Sequence, residues 1–207
     1  VVKHGEEYTI RYPILQKVIE GKRSSSGKLP SDLMDFGVSG GAKIWAKMLQ
    51  VAGVPTVQYI PKGKEHHLIK SRTTGIPREM TRRELLNNMD MVEDAAKRLN
   101  KSEPGTEAKL DIKLRNAEIV KKSSKIYAVG SILSPDLKTR YSRQNPHLHG
   151  RALEGDPGWG VQMAMDARKP IFVFDQPTRK WFTFDYGVRG GGRFKPMKGI
   201  PKLVRRP

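Results

Sequence analysis

The chain has 207 residues, and 39 Lys+Arg against 21 Asp+Glu leave a formal charge of +18. That length supports one compact domain with appendages, and no apolar run approaches the ~18 to 20 residues that span a bilayer, which argues against an integral membrane protein. The absence of Cys excludes disulfides, thiolate zinc sites, iron–sulfur clusters and cysteine nucleophiles. A charge of one sign on this scale attracts polyanions, so nucleic acid is the first partner expected, with anionic lipid or an acidic protein second.

Residues 1 to 35 read as a basic extension. Tyr8 to Tyr12 suit a short strand, the linker from Gly21 to Lys28 carries no visible chemistry, and the opening at Val1 does not read as a targeting signal. Phe36 to Ser39 then predict a buried strand that ends in Gly40-Gly41. Ile44, Trp45, Met48, Leu49 and Ala52 follow at helical spacing, Gly53 suits a helix C-terminus, and a strand resumes from Val54 to Ile60. Between them, Ser39, Gly40, Gly41 and Lys43 read either as a phosphate-holding turn at a helix N-terminus or as a tight turn with a steric purpose.

From Lys62 to Arg78 the chain is polar and irregular. Thr81 to Glu84 has capping-box spacing for a helix that is predicted to run to about Leu99, and a second helix is expected from Glu107 to Ser123. Lys125 to Leu133 is the clearest buried strand and contains Gly130. A polar insertion over 134–154 leads to Gly155-Asp156-Pro157-Gly158-Trp159-Gly160, which opens a helix carrying Gln162. Ile171 to Asp175 and Trp181 to Phe184 read as two strands joined by a short turn at Pro177-Thr178. His147 and His149, like His66 and His67, lack neighbouring acids at a recognised metal-ligand spacing and read as polar loop residues. In the insertion, Tyr141, His147 and His149 stand among Arg140, Arg143 and Arg151, a composition suited either to stacking on unpaired bases or to a solvated loop.

The stretch from Gly187 to Pro207 holds seven cations, Arg189, Arg193, Lys195, Lys198, Lys202, Arg205 and Arg206, and no acid. It reads as a tail that cannot fold alone and gains its order from a polyanion. Strands alternating with helices predict a three-layer α/β sandwich with a mainly parallel sheet, in which ligands sit at the carboxyl ends of strands. The expected division is therefore a basic extension over 1–35, a nucleotide-binding-type domain over 36–186 and a basic tail over 187–207.

The two glycine turns, the strand Ile126 to Gly130, the block Gly155 to Ala164, the step Lys169-Pro170, the segment Val173 to Gln176 and the aromatic strand Trp181 to Phe184 together resemble the SLOG superfamily of Rossmann-like nucleotide-binding proteins. Small phage-type members are the most similar; the cytokinin-activating phosphoribohydrolases and the DNA-processing protein A group are more distant. The resemblance implies a Rossmann-like domain whose turns hold a nucleotide or nucleoside phosphate through Ser39, Gly40, Gly41, Lys43, Gly130, Gly155, Asp156, Gly158, Trp159, Gly160 and Gln162. It also marks departures. Asp156-Pro157 replaces the Gly-Thr-like residues, Ile44-Trp45 follows the first turn directly, and Gln162 stands where enzymatic relatives carry a catalytic glutamate. A neutral amide cannot act as a general base. The expectation is therefore a non-catalytic domain, without a metal, that serves as a nucleic-acid-associated component of a larger assembly such as a ribonucleoprotein or virion. The alternatives are a nucleotide-processing enzyme or sensor, and a structural component whose pocket is vestigial.

Overall fold

The computed structural model describes residues 2–4, 7–9, 56–61, 75–102, 104–187 and 191–204. In chain order these form β1 (Val2–His4), β2 (Glu7–Thr9), β3 (Thr56–Pro61), β4 (Gly75–Met80), α1 (Arg82–Leu86), α2 (Met89–Leu99), α3 (Glu107–Lys122) and β5 (Ile126–Gly130). There follow α4 (Arg140–Gln144), a 3₁₀ turn at Pro146–Leu148, α5 (Pro157–Asp166), β6 (Ile171–Asp175), β7 (Lys180–Asp185), β8 (Arg193–Pro196) and β9 (Lys202–Val204). The predicted strand at Phe36 to Ser39 and the helix after it lie outside the described residues.

The chain divides into two compact units, Val1–Glu79 with Gly199–Pro207, and Met80–Lys198. In the first, β2 pairs antiparallel with β1 on one side and with β9 on the other, and β3 pairs with β4. Gly75 to Met80 is thus a strand, although the sequence to Arg78 reads as irregular.

The second unit is an α/β structure whose four-stranded sheet has the order β5-β6-β7-β8. β5 and β6 are parallel and are joined by a crossover containing α5; β6–β7 and β7–β8 are antiparallel. The expected mainly parallel sheet is therefore met in one of three described pairings here. The connection between Asp175 and Lys180 holds only four residues, too short for the dozen or more that a parallel crossover needs. Arg179 closes that turn with a left-handed φ of 56°.

The interior is built around α5, where every residue from Gly158 to Met165 except Gly160 is buried. A helix that is apolar on all sides needs neighbours on all sides. It has them: α5 packs on β5 and β6, and α2 and α3 pack on α5. Val92, Ala95, Ala96 and Leu99 form the buried stripe of α2, and Leu114, Ala117 and Val120 that of α3. Burial of each larger aliphatic side chain contributes roughly 1.5–3 kcal/mol.

Helix ends follow the local chemistry. Thr81 makes both bonds of the capping box with Glu84 and starts α1. The single helix expected from there to Leu99 is instead broken at Asn88, whose Nδ2 donates back to Glu84 O at 3.4 Å and across to Leu114 O at 3.2 Å. A buried amide that bonds to a neighbouring helix ends one helix and lets α2 begin afresh. The polar insertion is likewise more ordered than its composition indicates, because Thr139 accepts from Ser142 N and caps α4.

The reading of Gly187 onward as a tail independent of the fold needs correction. β8 completes the sheet, Phe194 is buried against Phe184 with ring centroids 5.0 Å apart, and Gly192 adopts a φ of 82° where a Cβ would strike the Phe184 ring. One buried aromatic, Phe194, was enough to recruit a basic segment as an edge strand. Among the described residues no helix is long and apolar enough to cross a membrane.

Candidate functional site

The carboxyl ends of β5 and β6 meet the N-terminus of α5, the position at which open α/β sheets place ligands. The chain leaving β5 is gripped by the returning segment before α5: Leu133 N donates to Ala152 O at 2.9 Å and Glu154 N to Ser131 O at 2.8 Å. This brings Leu153 against both glycines of interest. A Cβ on Gly130 would lie 3.0 Å from Leu153 Cδ2, and one on Gly158 would overlap the Leu153 carbonyl oxygen. Close approach of the Leu153 side chain accounts for Gly130, and close approach of its backbone for Gly158. Gly155 is required by its φ of 71°, whereas a Cβ on Gly160 would meet nothing within 4 Å. Asp175 closes the end of β6, with Oδ1 accepting from Ile132 N at 2.8 Å and Oδ2 from the Thr178 hydroxyl at 2.6 Å.

Two lysines that the sequence reading passed over organise the turn. Asp156 sits at the N-cap of α5 without capping it through its side chain; its carboxylate pairs instead with Lys113, a residue 5% exposed. Lys113 Nζ lies 5.5 Å from the Trp159 ring centroid. Lys101 Nζ donates to Gly155 O at 3.2 Å and stands 4.6 Å above the Tyr141 ring. Burial lowers the Lys101 pKa, and the Glu154 charge opposes that. Tyr141 donates its hydroxyl to Leu99 O, and its pKa is pushed up to about 12, first by burial and then by Glu154. Glu154 in turn accepts from the Thr139 hydroxyl at 3.0 Å. The signal for Lys113 was present in the sequence: it is a cation beside the apolar stripe of Leu114, Ala117 and Val120, where an unpaired charge would be costly.

Gln162 faces different chemistry. Its Nε2 donates to Asp166 Oδ1 at 3.0 Å, one turn along α5, and Arg98 of α2 holds the same oxygen at 3.0 Å. Burial raises the Asp166 pKa, with the Gln162 bond and the Arg98 charge opposing. The described residues therefore bring Gly130, Gly155, Asp156, Gly158 and Trp159 together at one strand end and tie Gln162 to the α2–α5 interface. Ser39, Gly40, Gly41 and Lys43 lie outside the described residues, as does the expected meeting of the two glycine turns.

A second feature lies across the same unit. Strand register places Val173, Phe182, Phe184 and Phe194 on one face of the sheet. At its β8 end, Phe182 and Phe194 floor an open cleft of about 380 Å³, walled by Ile132 and Leu133 and edged by His149 and Arg193. The wall is fixed by Gly150, which donates to Leu133 O at 2.7 Å and accepts from Phe194 N at 2.8 Å. Its φ of 72° favours glycine, and the Arg193 side chain lies over it. His149 Nε2 lies 3.0 Å from Ser142 O, which makes it the protonated donor nitrogen.

The cations of the expected nucleic-acid tail are dispersed. Arg193 and Lys195 are exposed on β8, Lys198 follows them, Lys202 begins β9 in the other unit, and Arg189, Arg205 and Arg206 lie outside the described residues. Lys195 pairs with Asp185 at 2.5 Å; that bond, foremost, and the one from Gly187 N hold the Asp185 pKa below its ordinary value. Arg193, Arg151, Arg140 and Arg143 make no ion pair among the described residues. No group of three or more His, Asp or Glu among the described residues is placed to hold a metal ion. Compared with known protein families, curated proteins and solved structures, the chain matches none.

Proposed function

We propose that the protein is a non-catalytic, SLOG-like domain of three-layer Rossmann type that binds nucleic acid as a basic component of a larger assembly. The observation that carries this reading is the group of arginines, Arg140, Arg143 and Arg193 exposed and Arg151 partly so, left without carboxylate partners among the described residues in a chain of net charge +18. Cations placed on an insertion and an edge strand are free to follow a phosphate backbone without disturbing the core. The β5–α5–β6 crossover is the part of the described fold that suits the Rossmann-like reading. The non-catalytic part rests on Gln162, a neutral amide already bonded to Asp166.

One observation favours a component whose nucleotide pocket is vestigial: at the second glycine turn, Asp156 occupies the Lys113 ammonium and Trp159, 5% exposed, fills the space beneath the two lysines. The test is a titration of the full chain against RNA and duplex DNA at several salt concentrations. The reading expects affinity that falls steeply with salt, by about 0.9 log units per log unit for each phosphate contacted on a duplex. Affinity indifferent to salt, or a co-purified nucleotide converted to free base and ribose phosphate, would overturn it.

A further inference from the structure

We propose that the cleft floored by Phe182 and Phe194 seats one unpaired base of a single-stranded nucleic acid, with Arg193 on the adjoining phosphate. The proposal rests on the nucleic-acid reading above and deepens it by naming the form of nucleic acid. At about 380 Å³ the cleft lies at the small end of the roughly 300–1,000 Å³ typical of ligand sites, a size suited to one nucleotide unit and not to a folded partner. Its floor offers a half-buried aromatic face in Phe182, steadied by Phe194, which is itself wedged edge-on to Phe184. No lining residue is acidic, and the side chains at the rim that carry or can carry charge are Arg193 and His149. The acids near the lining are engaged, Asp175 by Ile132 N and the Thr178 hydroxyl and Asp185, opposite Arg193 in register, by Lys195, while Lys138, Arg140, Arg143 and Arg151 stand on the insertion with Asp136 as its exposed acid. An anionic, flat ligand fits such a site.

The sequence pointed to Tyr141, His147 and His149 as candidates to stack on unpaired bases; His147 is exposed and outside the cleft lining, and Tyr141 and His149 are held within the fold. The structure gives both other work: Tyr141 is bonded to Leu99 O beneath Lys101, and His149 is bonded to Ser142. Phe182 has no such engagement, and its half-exposed ring lies on the sheet face that the insertion overhangs. A base inside a duplex has both faces covered by its neighbours, so only an unpaired base can use this ring.

The experiment measures binding of the full chain to a twelve-residue oligothymidylate and to a twelve-base-pair duplex at several salt concentrations, with Phe182→Leu, which keeps apolar volume, and Arg193→Gln on the exposed edge. Thermal melting checks each variant's fold. Phe182→Leu should weaken the single strand roughly 5- to 20-fold and leave the duplex within about 2-fold. Arg193→Gln should flatten the single-strand salt slope by about 0.7. If Phe182→Leu does not fold, the Arg193→Gln slope decides. Thymidine monophosphate that competes as well as the oligomer would overturn the proposal in favour of a free-nucleotide site, and polyglutamate that competes equally would reduce it to charge attraction. If the wild-type chain binds no nucleic acid, the proposed function falls with it. If it binds but Phe182→Leu has no effect, or weakens the duplex equally, only the cleft assignment fails.

Discussion

The turn before α5 and the cleft beside β8 are built from similar materials, cations next to aromatic rings, and differ in what those cations touch. At the turn, Lys113 is met by Asp156 and Lys101 by Gly155 O, and both hang over Trp159 or Tyr141 inside the protein. At the cleft, Arg193 is exposed, makes no ion pair among the described residues, and lies over Gly150 beside a partly open ring. The first arrangement satisfies itself and serves the fold; the second leaves its charge without an ion pair among the described residues. Composition alone does not separate them. The pairing does.

The sharpest break of this contrast is Gly158→Ala, which forces a Cβ into the Leu153 carbonyl and is expected to cost about 3 kcal/mol in urea unfolding. Gly160→Ala, in the same helix with nothing within 4 Å, should be neutral or add up to about 1 kcal/mol. If the two variants unfold alike, the steric account of the turn is wrong.

Next in size, Asp156→Ala should cost about 2 kcal/mol, because it strands a buried ammonium. Lys113→Met should cost less than about 1 kcal/mol, since the carboxylate it abandons is 63% exposed and rehydrates. The reverse order would place the buried partner on the wrong side of the pair.

Tyr141→Phe removes the bond to Leu99 O at a cost of about 1 kcal/mol. It also changes the alkaline limb. The Tyr141 pKa in the folded chain is raised to about 12 from an unfolded value near 10. The stability linked to its proton is therefore complete below pH 10 and is lost as pH rises from there toward 12. Chemical unfolding across that window should show a shallower decline for Tyr141→Phe than for wild type. The smallest effect on stability belongs to the cleft side, where Arg193→Gln is expected to stay within about 0.5 kcal/mol while weakening nucleic-acid binding.

Much of the second unit was legible from pattern. The apolar run of Lys125 to Leu133, of which Ile126 to Gly130 pairs as a partly buried strand, the step Lys169-Pro170 and the run of Ile171 to Asp175 gave β5, the end of α5 and β6, because apolar runs flanked by strong punctuation leave few alternatives. Three features were not legible, for separate physical reasons. Asn88 breaks a helix through bonds to α3, residues 26 and 30 positions away, which no local propensity encodes. The edge strand β8 is short and basic, and its place depends on Phe194 finding Phe184 across the sheet. Lys101 lies in the loop after α2, where nothing local marks it until the turn before α5 folds over it, so a reading that followed the glycines found the turn and missed what holds it.

The central claim is that the unpaired arginines, rather than the closed turn, carry association with nucleic acid. Its most direct measurement is the salt dependence of oligothymidylate binding by the wild-type chain and by a variant with Arg140, Arg143, Arg151 and Arg193 all replaced by Gln. The account predicts an unchanged melting temperature and a log–log slope flattened by up to about 3, at roughly 0.7 per single-strand phosphate contact. Equal affinity and equal slope for the two proteins would contradict it.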